Sequence, residues 1–232
     1  LAGDELDAHF RRALAKAGKI RVVYNGVSEI FNPGATNPES AGPANGTRPL
    51  RLLYVGRQDP YKNVTGLVRI FARAKQLVQA PLQLVIAGSP DPRYPEAANL
   101  ARELGVQDQV SWTGYIPPDE LANVYRTADC LVHPSRYEGF GLQIVEAMAS
   151  GLPVVSSNSA SLPEVGGNAA ILLPPDDVEG FAGSIARILT DPAFTLDRVA
   201  RGLRQAATFS WRRAAEETLN IYTEAARHSP GY

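Results

Sequence analysis

Two glutamates eight residues apart, Glu138 and Glu146, bracket a Gly-Phe-Gly turn in the stretch RYEGFGLQIVEAMASGLPVV (136–155). A second set of charged residues, Arg57 and Lys62, lies in VGRQDPYKN (55–63), just after Gly56. A carboxylate accepts hydrogen bonds from paired hydroxyls, as on a ribose or a sugar ring. An arginine offers a planar fork to phosphate oxygens and a lysine a compact point charge. Together these residue types suit a ligand that carries both polyol and phosphate. Other readings of the same residues stand beside this one. Glu138 and Glu146 could be the acid and base or nucleophile of a glycosidase, or a loop charge and a solvated helix face. Arg57 and Lys62 could be two solvated loop cations.

The elements that must position these residues are legible as alternating patterns. Short apolar runs fall at 51–56, 82–88, 109–114, 129–135, 152–157 and 169–175. Between them lie helical patterns, the first with Val64, Leu67, Val68 and Phe71 on one face at i, i+3, i+4, i+7 spacing. Others cover 95–104, the segment of Leu121, Val124, Tyr125 and Ala128, a helix from about Leu142, and 177–190, with a last one carrying Trp211, Leu219 and Tyr222. Strands alternating with helices imply right-handed βαβ units and a parallel sheet. The runs are nearly continuously apolar, as strands covered on both faces are. The expected fold is α/β, a Rossmann-like doubly wound sheet of about six strands. Such sheets bind ligands beyond the carboxyl ends of their strands, where Gly56, Gly88, Gly114 and Ser135 fall. Arg57 and Lys62 follow one strand end. The Gly-Phe-Gly turn follows another and opens a helix whose unpaired N–H groups favour an anion. Two anion-friendly strand ends point to one ligand with a phosphate or diphosphate. Before the sheet, 5–17 reads as a short helix, 20–27 as a strand ending in an Asn-Gly turn, and 32–49, dense in Gly, Pro, Asn and Ser, as an exposed loop.

Composition narrows the classes. The 232 residues carry 23 basic and 24 acidic side chains, a net charge of −1. No global basic excess argues for nucleic acid. Cys130 is the one cysteine, so no intrachain disulfide forms, nothing argues for an oxidising compartment, and a cytoplasmic chain is expected. No His/Cys cluster has metal spacing, and no G-x-G-x-x-G follows the first strand. Neither a metal nor a cofactor is expected. His133, on the fourth strand, reads as a packed, hydrogen-bonded residue.

The pattern E-G-F-G-L-x-x-x-E-A-M-A-x-G-x-P-V-V (138–155) resembles the donor-site signature of retaining glycosyltransferases of the GT-B fold, in particular the "glycosyl transferases group 1" family, known as family 4. VVYNGVSEIF (22–31), LLYVGRQDPYKN (52–63), LVIAGS (84–89), VSWTGYIPPDELANVYRTADCLVHPS (110–135) and SSNSASLPEV (156–165) follow the same family order. The resemblance spans about 20 to 225. It implies that Arg57 and Lys62 contact a donor diphosphate and that Glu138 faces the donor sugar. It implies too that Phe140, Gly141 and Leu142 offer backbone N–H groups, that Glu146 binds the ribose hydroxyls, and that Tyr115 and Ile116 lie against the base. The donor would be a GDP-mannose or UDP-glucose type nucleotide sugar, used as substrate, with a hexose passing to an acceptor hydroxyl. No D-x-D motif is present, so a metal-free design is expected. The domain order implied is a trailing edge or linker of a missing N-terminal acceptor domain at 1–19 and a donor-binding domain at 20–232 with a C-terminal helix at 208–226. The isolated chain is then expected to be inactive, and peripheral membrane association of a full-length parent stays open. The alternative within this resemblance is a nucleotide-sugar binding or epimerase-like module without a separate acceptor.

Overall fold

A computed structural model describes residues 20–34 and 48–228. The short helix read at 5–17, the trailing edge at 1–19 and most of the loop at 32–49 lie outside the described residues. The chain divides into two compact units, Val27–Thr208 and a second that joins the segment ending at Gly26 to the one beginning at Phe209.

The larger unit is a parallel six-stranded sheet. Its strands are β1 (Leu50–Val55), β2 (Leu82–Ala87), β3 (Val110–Gly114), β4 (Cys130–His133), β5 (Val154–Ser157) and β6 (Ile171–Leu173). They lie in the order β3-β2-β1-β4-β5-β6, the doubly wound order expected from the alternation of runs and helical patterns. The registers that matter for the site are Leu52 opposite Cys130 and Leu53 opposite Leu131, between β1 and β4.

Alternation along β1 divides the core. Leu52 and Tyr54 join a buried cluster with Leu67, Val68 and Phe71 of α1 (Val64–Leu77) and Ala97 and Ala101 of α2 (Glu96–Glu103). Phe181 and Ile185 of α6 (Val178–Thr190) complete it. Burying Phe71 or Phe181, each fully enclosed, contributes ~1.5–3 kcal/mol. Successive strand residues point to opposite faces, so Leu53 looks the other way. The side chains buried outside that cluster include Ile144, Val145 and Met148 of α4 (Leu142–Ala149) and Leu162 and Val165 of α5 (Leu162–Gly166). A helix between β3 and β4, α3 (Pro118–Thr127), completes the sheet's connections.

Besides the short helix α5, which the sequence reading lacks, two elements differ from that reading. Residues 20–26 form no strand. Tyr24 sets its ring edge-on to Phe209 at 5.9 Å, and a Cβ on Gly26 would fall 2.0 Å from the Trp211 backbone nitrogen. The second is α7 (Pro192–Ala206), a 15-residue helix absent from the sequence reading. Its start is well marked: Asp191 accepts from the Phe194 N–H at 3.0 Å and Pro192 occupies the first turn, where its missing N–H costs nothing. The C-terminal helix α8 spans Trp211–His228.

Candidate functional site

The order β2-β1-β4 makes the gap between β1 and β4 the switch point of the sheet, since the chain leaves β1 toward one side and returns to β4 on the other. In sheets of this kind ligands bind outside the carboxyl ends of the strands at such a point, and here the loops after β1 and β4 meet there. The residues after β1 and after β4 are those singled out by their chemistry.

The loop after β1 is fastened at both ends. The Gly56 N–H donates to Ala87 O at 2.9 Å, and the Tyr54 hydroxyl donates to Arg57 O at 2.7 Å. Pro60–Lys62 then forms one 3₁₀ turn, and Asn63, at φ 57°, swings the chain into α1. Asparagine tolerates this left-handed backbone better than most residues. Its side-chain amide donates to Pro134 O at 3.1 Å and to Pro175 O at 2.9 Å, while its Oδ1 accepts from Arg136 Nη1 at 2.9 Å. The Arg136 N–H donates to Tyr61 O at 2.7 Å. Asn63 thus ties the loops after β1, β4 and β6 into one assembly.

This fastening brings Lys62 and Glu138 together. The Lys62 ammonium lies 2.7 Å from Oε1 and 2.8 Å from Oε2 of Glu138, and each residue is 8% exposed. His133, fully buried at the end of β4, donates from Nε2 to Glu138 Oε1 at 2.9 Å. A carboxylate only accepts, so Nε2 carries the hydrogen. Burial alone would raise the Glu138 carboxyl; the hydrogen bond and charge of His133 and the Lys62 ammonium outweigh it and hold the group down at about 2. Behind the pair, Ser161 Oγ lies 3.0 Å from both the Glu138 and Phe140 carbonyl oxygens and shares its hydrogen between them. Gly141 follows at φ 98° and opens α4 with no side chain capping it. That φ disfavours any residue with a Cβ, and a Cβ there would also fall 2.6 Å from Leu162 Cδ2, which would have to shift. The Leu142 and Gln143 N–H groups open α4 ahead of its first bond, from the Ile144 N–H to Gly141 O at 3.0 Å.

Glu146 sits more than a turn along α4. It is half-buried, and its Oε2 accepts from the Tyr125 hydroxyl at 2.8 Å. Burial raises its carboxyl above the ordinary value, and the Tyr125 hydrogen bond lowers it in part. Arg57 differs from Lys62: three quarters of its side chain is exposed, and it lies against Asp59 at 2.9 Å and the Tyr61 hydroxyl at 3.1 Å. Tyr115 and Ile116 follow β3, two strands away from β1 at the sheet edge, with Tyr115 exposed. The structure therefore joins Lys62 to Glu138, and leaves Arg57 and Tyr115 toward solvent. Two contributors stood outside the candidate set, His133 and Asn63. The signal for the first is a polar ring closing an otherwise apolar run, CLVH. For the second it is an Asn at a helix start in the sequence PYKN. Among the described residues no group of three or more His, Cys, Asp or Glu could hold a metal, and no helix is long and apolar enough to cross a membrane.

A doubly wound sheet with charged loops meeting at its switch point defines the open α/β class whose ligands bind at that point. Within that class the glycosyl transferases group 1 family profile matches residues 38–207, and the chain belongs to that family. It is 36% identical over 170 residues to O-antigen chain mannosyltransferase B of Escherichia coli, covering 73% of this chain and 45% of that protein. It is 35% identical to D-inositol 3-phosphate glycosyltransferase of Kribbella flavida, covering 97% and 56%. Sucrose-phosphate synthase of Thermosynechococcus elongatus superposes with a TM-score of 0.78 at 30% identity, covering 97% of this chain and 57% of that one. The fold is that of the GT-B glycosyltransferases, and the chain spans about half the length of the curated relatives it matches.

Proposed function

We propose that this chain is the donor-binding half of a retaining, metal-independent hexosyltransferase of family 4, taking a GDP-mannose or UDP-glucose type nucleotide sugar. The observation that carries the proposal is the meeting of Lys62, Glu138 and the open start of α4 at the sheet's switch point. As the nucleoside diphosphate departs, negative charge grows on its β-phosphate. A buried ammonium and aligned helix N–H groups stabilise that charge without reorganising. Arg57 is free of bulk burial and reaches the same phosphates from outside. Phe140, Gly141 and Leu142 lie where their N–H groups meet sugar and phosphate oxygens, and Glu138 lies beside them at the sugar end. Glu146 keeps Oε1 for a ribose diol while Tyr125 holds Oε2. Tyr115 and Ile116 flank the base. The names of the relatives, a mannosyltransferase and an inositol-phosphate glycosyltransferase, agree with transfer of a hexose to a hydroxyl. The acceptor site belongs, on this reading, to a further domain, of which 1–19 would be the trailing edge or linker.

The test is calorimetry with UDP, GDP and their sugar conjugates, followed by a product assay with and without an acceptor alcohol. Weak nucleotide binding without transfer is expected of this chain. Turnover by the chain alone would sink the half-enzyme reading, and product without acceptor would favour the epimerase-like one. Glu146→Gln sharpens the ribose assignment. Its amide oxygen still accepts from Tyr125, so stability should move by less than about 1 kcal/mol. Nucleotide affinity should fall about tenfold, because charge-assisted bonds to the diol become neutral. A 2′,3′-dideoxynucleotide should show no such loss; an equal loss there would remove Glu146 from the ribose.

A further inference from the structure

Glu138 has two cationic or protic neighbours, and only one of them is placed to leave. Lys62 commits two of its three N–H donors to Glu138. The third N–H can meet a phosphate, whose charge then competes with the Glu138 carboxylate for the ammonium. A buried carboxylate stripped of its cation is strongly destabilised unless another donor stays with it. His133 is that donor. Its ring is held on every side: fully buried, near-parallel to the Tyr54 ring at 15° and 6.0 Å, with its backbone fixed in β4 opposite Ser156, whose hydroxyl donates to His133 O at 3.1 Å. The titratable groups against the ring are Tyr54 from β1 and Glu138 from the loop, and Lys62 binds the same Glu138 oxygen as Nε2. Nδ1 has no hydrogen-bond partner among the described residues, so the ring's polar contacts run through Nε2, to Glu138 at 2.9 Å and to Ser135 Oγ at 3.3 Å.

Resting on the donor-site reading above, we propose that His133 is a positioning residue: it keeps the Glu138 carboxylate in place at the sugar end of the site while Lys62 is drawn to the donor phosphates. The ring does not touch the reacting atoms. It fixes the one side chain that must face the sugar once a phosphate competes for its cation. Two consequences separate this from a packing role. Loss of the donor nitrogen should weaken binding of a nucleotide sugar, whose sugar meets Glu138, far more than binding of the bare nucleoside diphosphate. Restoring a side-chain N–H at the same reach should restore it.

The experiment titrates the chain with GDP-mannose and GDP, and with UDP-glucose and UDP. His133→Phe keeps a ring against Tyr54 but has no donor; His133→Gln keeps a donor. Thermal melting checks each variant, and His133→Leu replaces the phenyl variant should that one not pack. For the donor-less variant a loss of about tenfold or more is expected for the nucleotide sugar, with the nucleoside diphosphate within about twofold. The Gln variant should bind both as the unaltered chain does. Equal losses for sugar conjugate and diphosphate, or none for either, would overturn the assignment. A nucleotide-free measurement keeps the two readings apart. The Glu138 carboxyl, followed by carbon-13 NMR, should titrate higher in His133→Phe than in the unaltered chain. Should the unaltered chain bind no nucleotide, the donor-site reading fails, and with it the role of His133 toward a sugar. An unmoved Glu138 titration overturns the hold of His133 on the carboxylate in either case.

Discussion

Lys62→Ala should cost the protein about 3–5 kcal/mol of stability at neutral pH and abolish measurable nucleotide binding. The size follows from burial. Lys62 and Glu138 are enclosed together, so removing the ammonium leaves a desolvated carboxylate with His133 as its one remaining charged or protic side-chain partner among the contacts described. In a chain of this length the loss corresponds to a melting point lower by roughly 10 °C. The pH dependence has a definite sign. Glu138 is held at about 2 in the folded protein, below the ~4.3 of an unfolded glutamate. Its contribution is therefore fully present above the unfolded value and fades as pH falls toward 2. Lys62→Ala removes part of what holds the group down, so the gap between variant and unaltered chain should narrow below about pH 4. Lys62→Met with Glu138→Gln replaces both charges and should regain most of the stability, because a buried pair is expensive to break and cheap to replace. It should not regain nucleotide binding. Melting curves at pH 7 and 3.5 with calorimetry on UDP and GDP decide it; a single variant that melts and binds like the unaltered chain would falsify the phosphate assignment.

The fold was open to reading because its signals are local. Each strand is a short apolar run, each helix carries its 3.6-residue stripe, and the alternation of the two leaves few topologies. The errors have local causes too. The segment 20–26 has strand composition, but β-propensity describes a fit to a pleated neighbour, and the contacts of Tyr24 and Gly26 are with Phe209 and Trp211 instead. The helix Pro192–Ala206 was marked by Asp191 and Pro192, but it follows 177–190 after one residue, so the two patterns merge in the sequence. The site divides in the same way. Its ingredients at 57–62 and 138–146 announce themselves by residue type and position after a strand. Their pairing does not, since Lys62 and Glu138 are 76 residues apart. Read separately, a cation suits a phosphate and a carboxylate suits a diol; brought together, each is the other's partner until a ligand intervenes. His133 was read as a packed, hydrogen-bonded residue, and it is one, but nothing within CLVH tells that its partner is the glutamate five residues on. Asn63 is less legible still, because its importance lies in the carbonyls of Pro134 and Pro175, which reach it only when three strands align.

Gly88→Ala should be nearly as costly, about 3–5 kcal/mol, although residue 88 bears no chemistry. The residue follows β2 at φ 156°, a backbone region that side chains with a Cβ rarely enter, which costs on the order of 1–3 kcal/mol. A Cβ there would stand 2.0 Å from the Gly56 carbonyl oxygen and 2.9 Å from its carbon. Both are backbone atoms of the neighbouring strand end, so no rotamer change relieves the overlap, and overpacking adds about 1–3 kcal/mol. The relief available is to move Gly56 away from β2. That breaks the bond from the Gly56 N–H to Ala87 O and shifts Arg57, whose carbonyl holds the Tyr54 hydroxyl. The turn carrying Lys62 follows directly. Gly88→Ala should therefore lower the melting point by roughly 10 °C and weaken nucleotide binding together with it. Gly105→Ala is the control. Its φ of 66° also disfavours a side chain, but nothing lies within 4 Å of the added carbon, so about 1 kcal/mol is expected with nucleotide affinity unchanged. Equal effects of the two substitutions would mean that backbone strain alone sets the cost. A much larger effect at Gly88 would show that the close approach of β1 and β2 at their carboxyl ends is what holds the Arg57–Lys62 loop at the switch point.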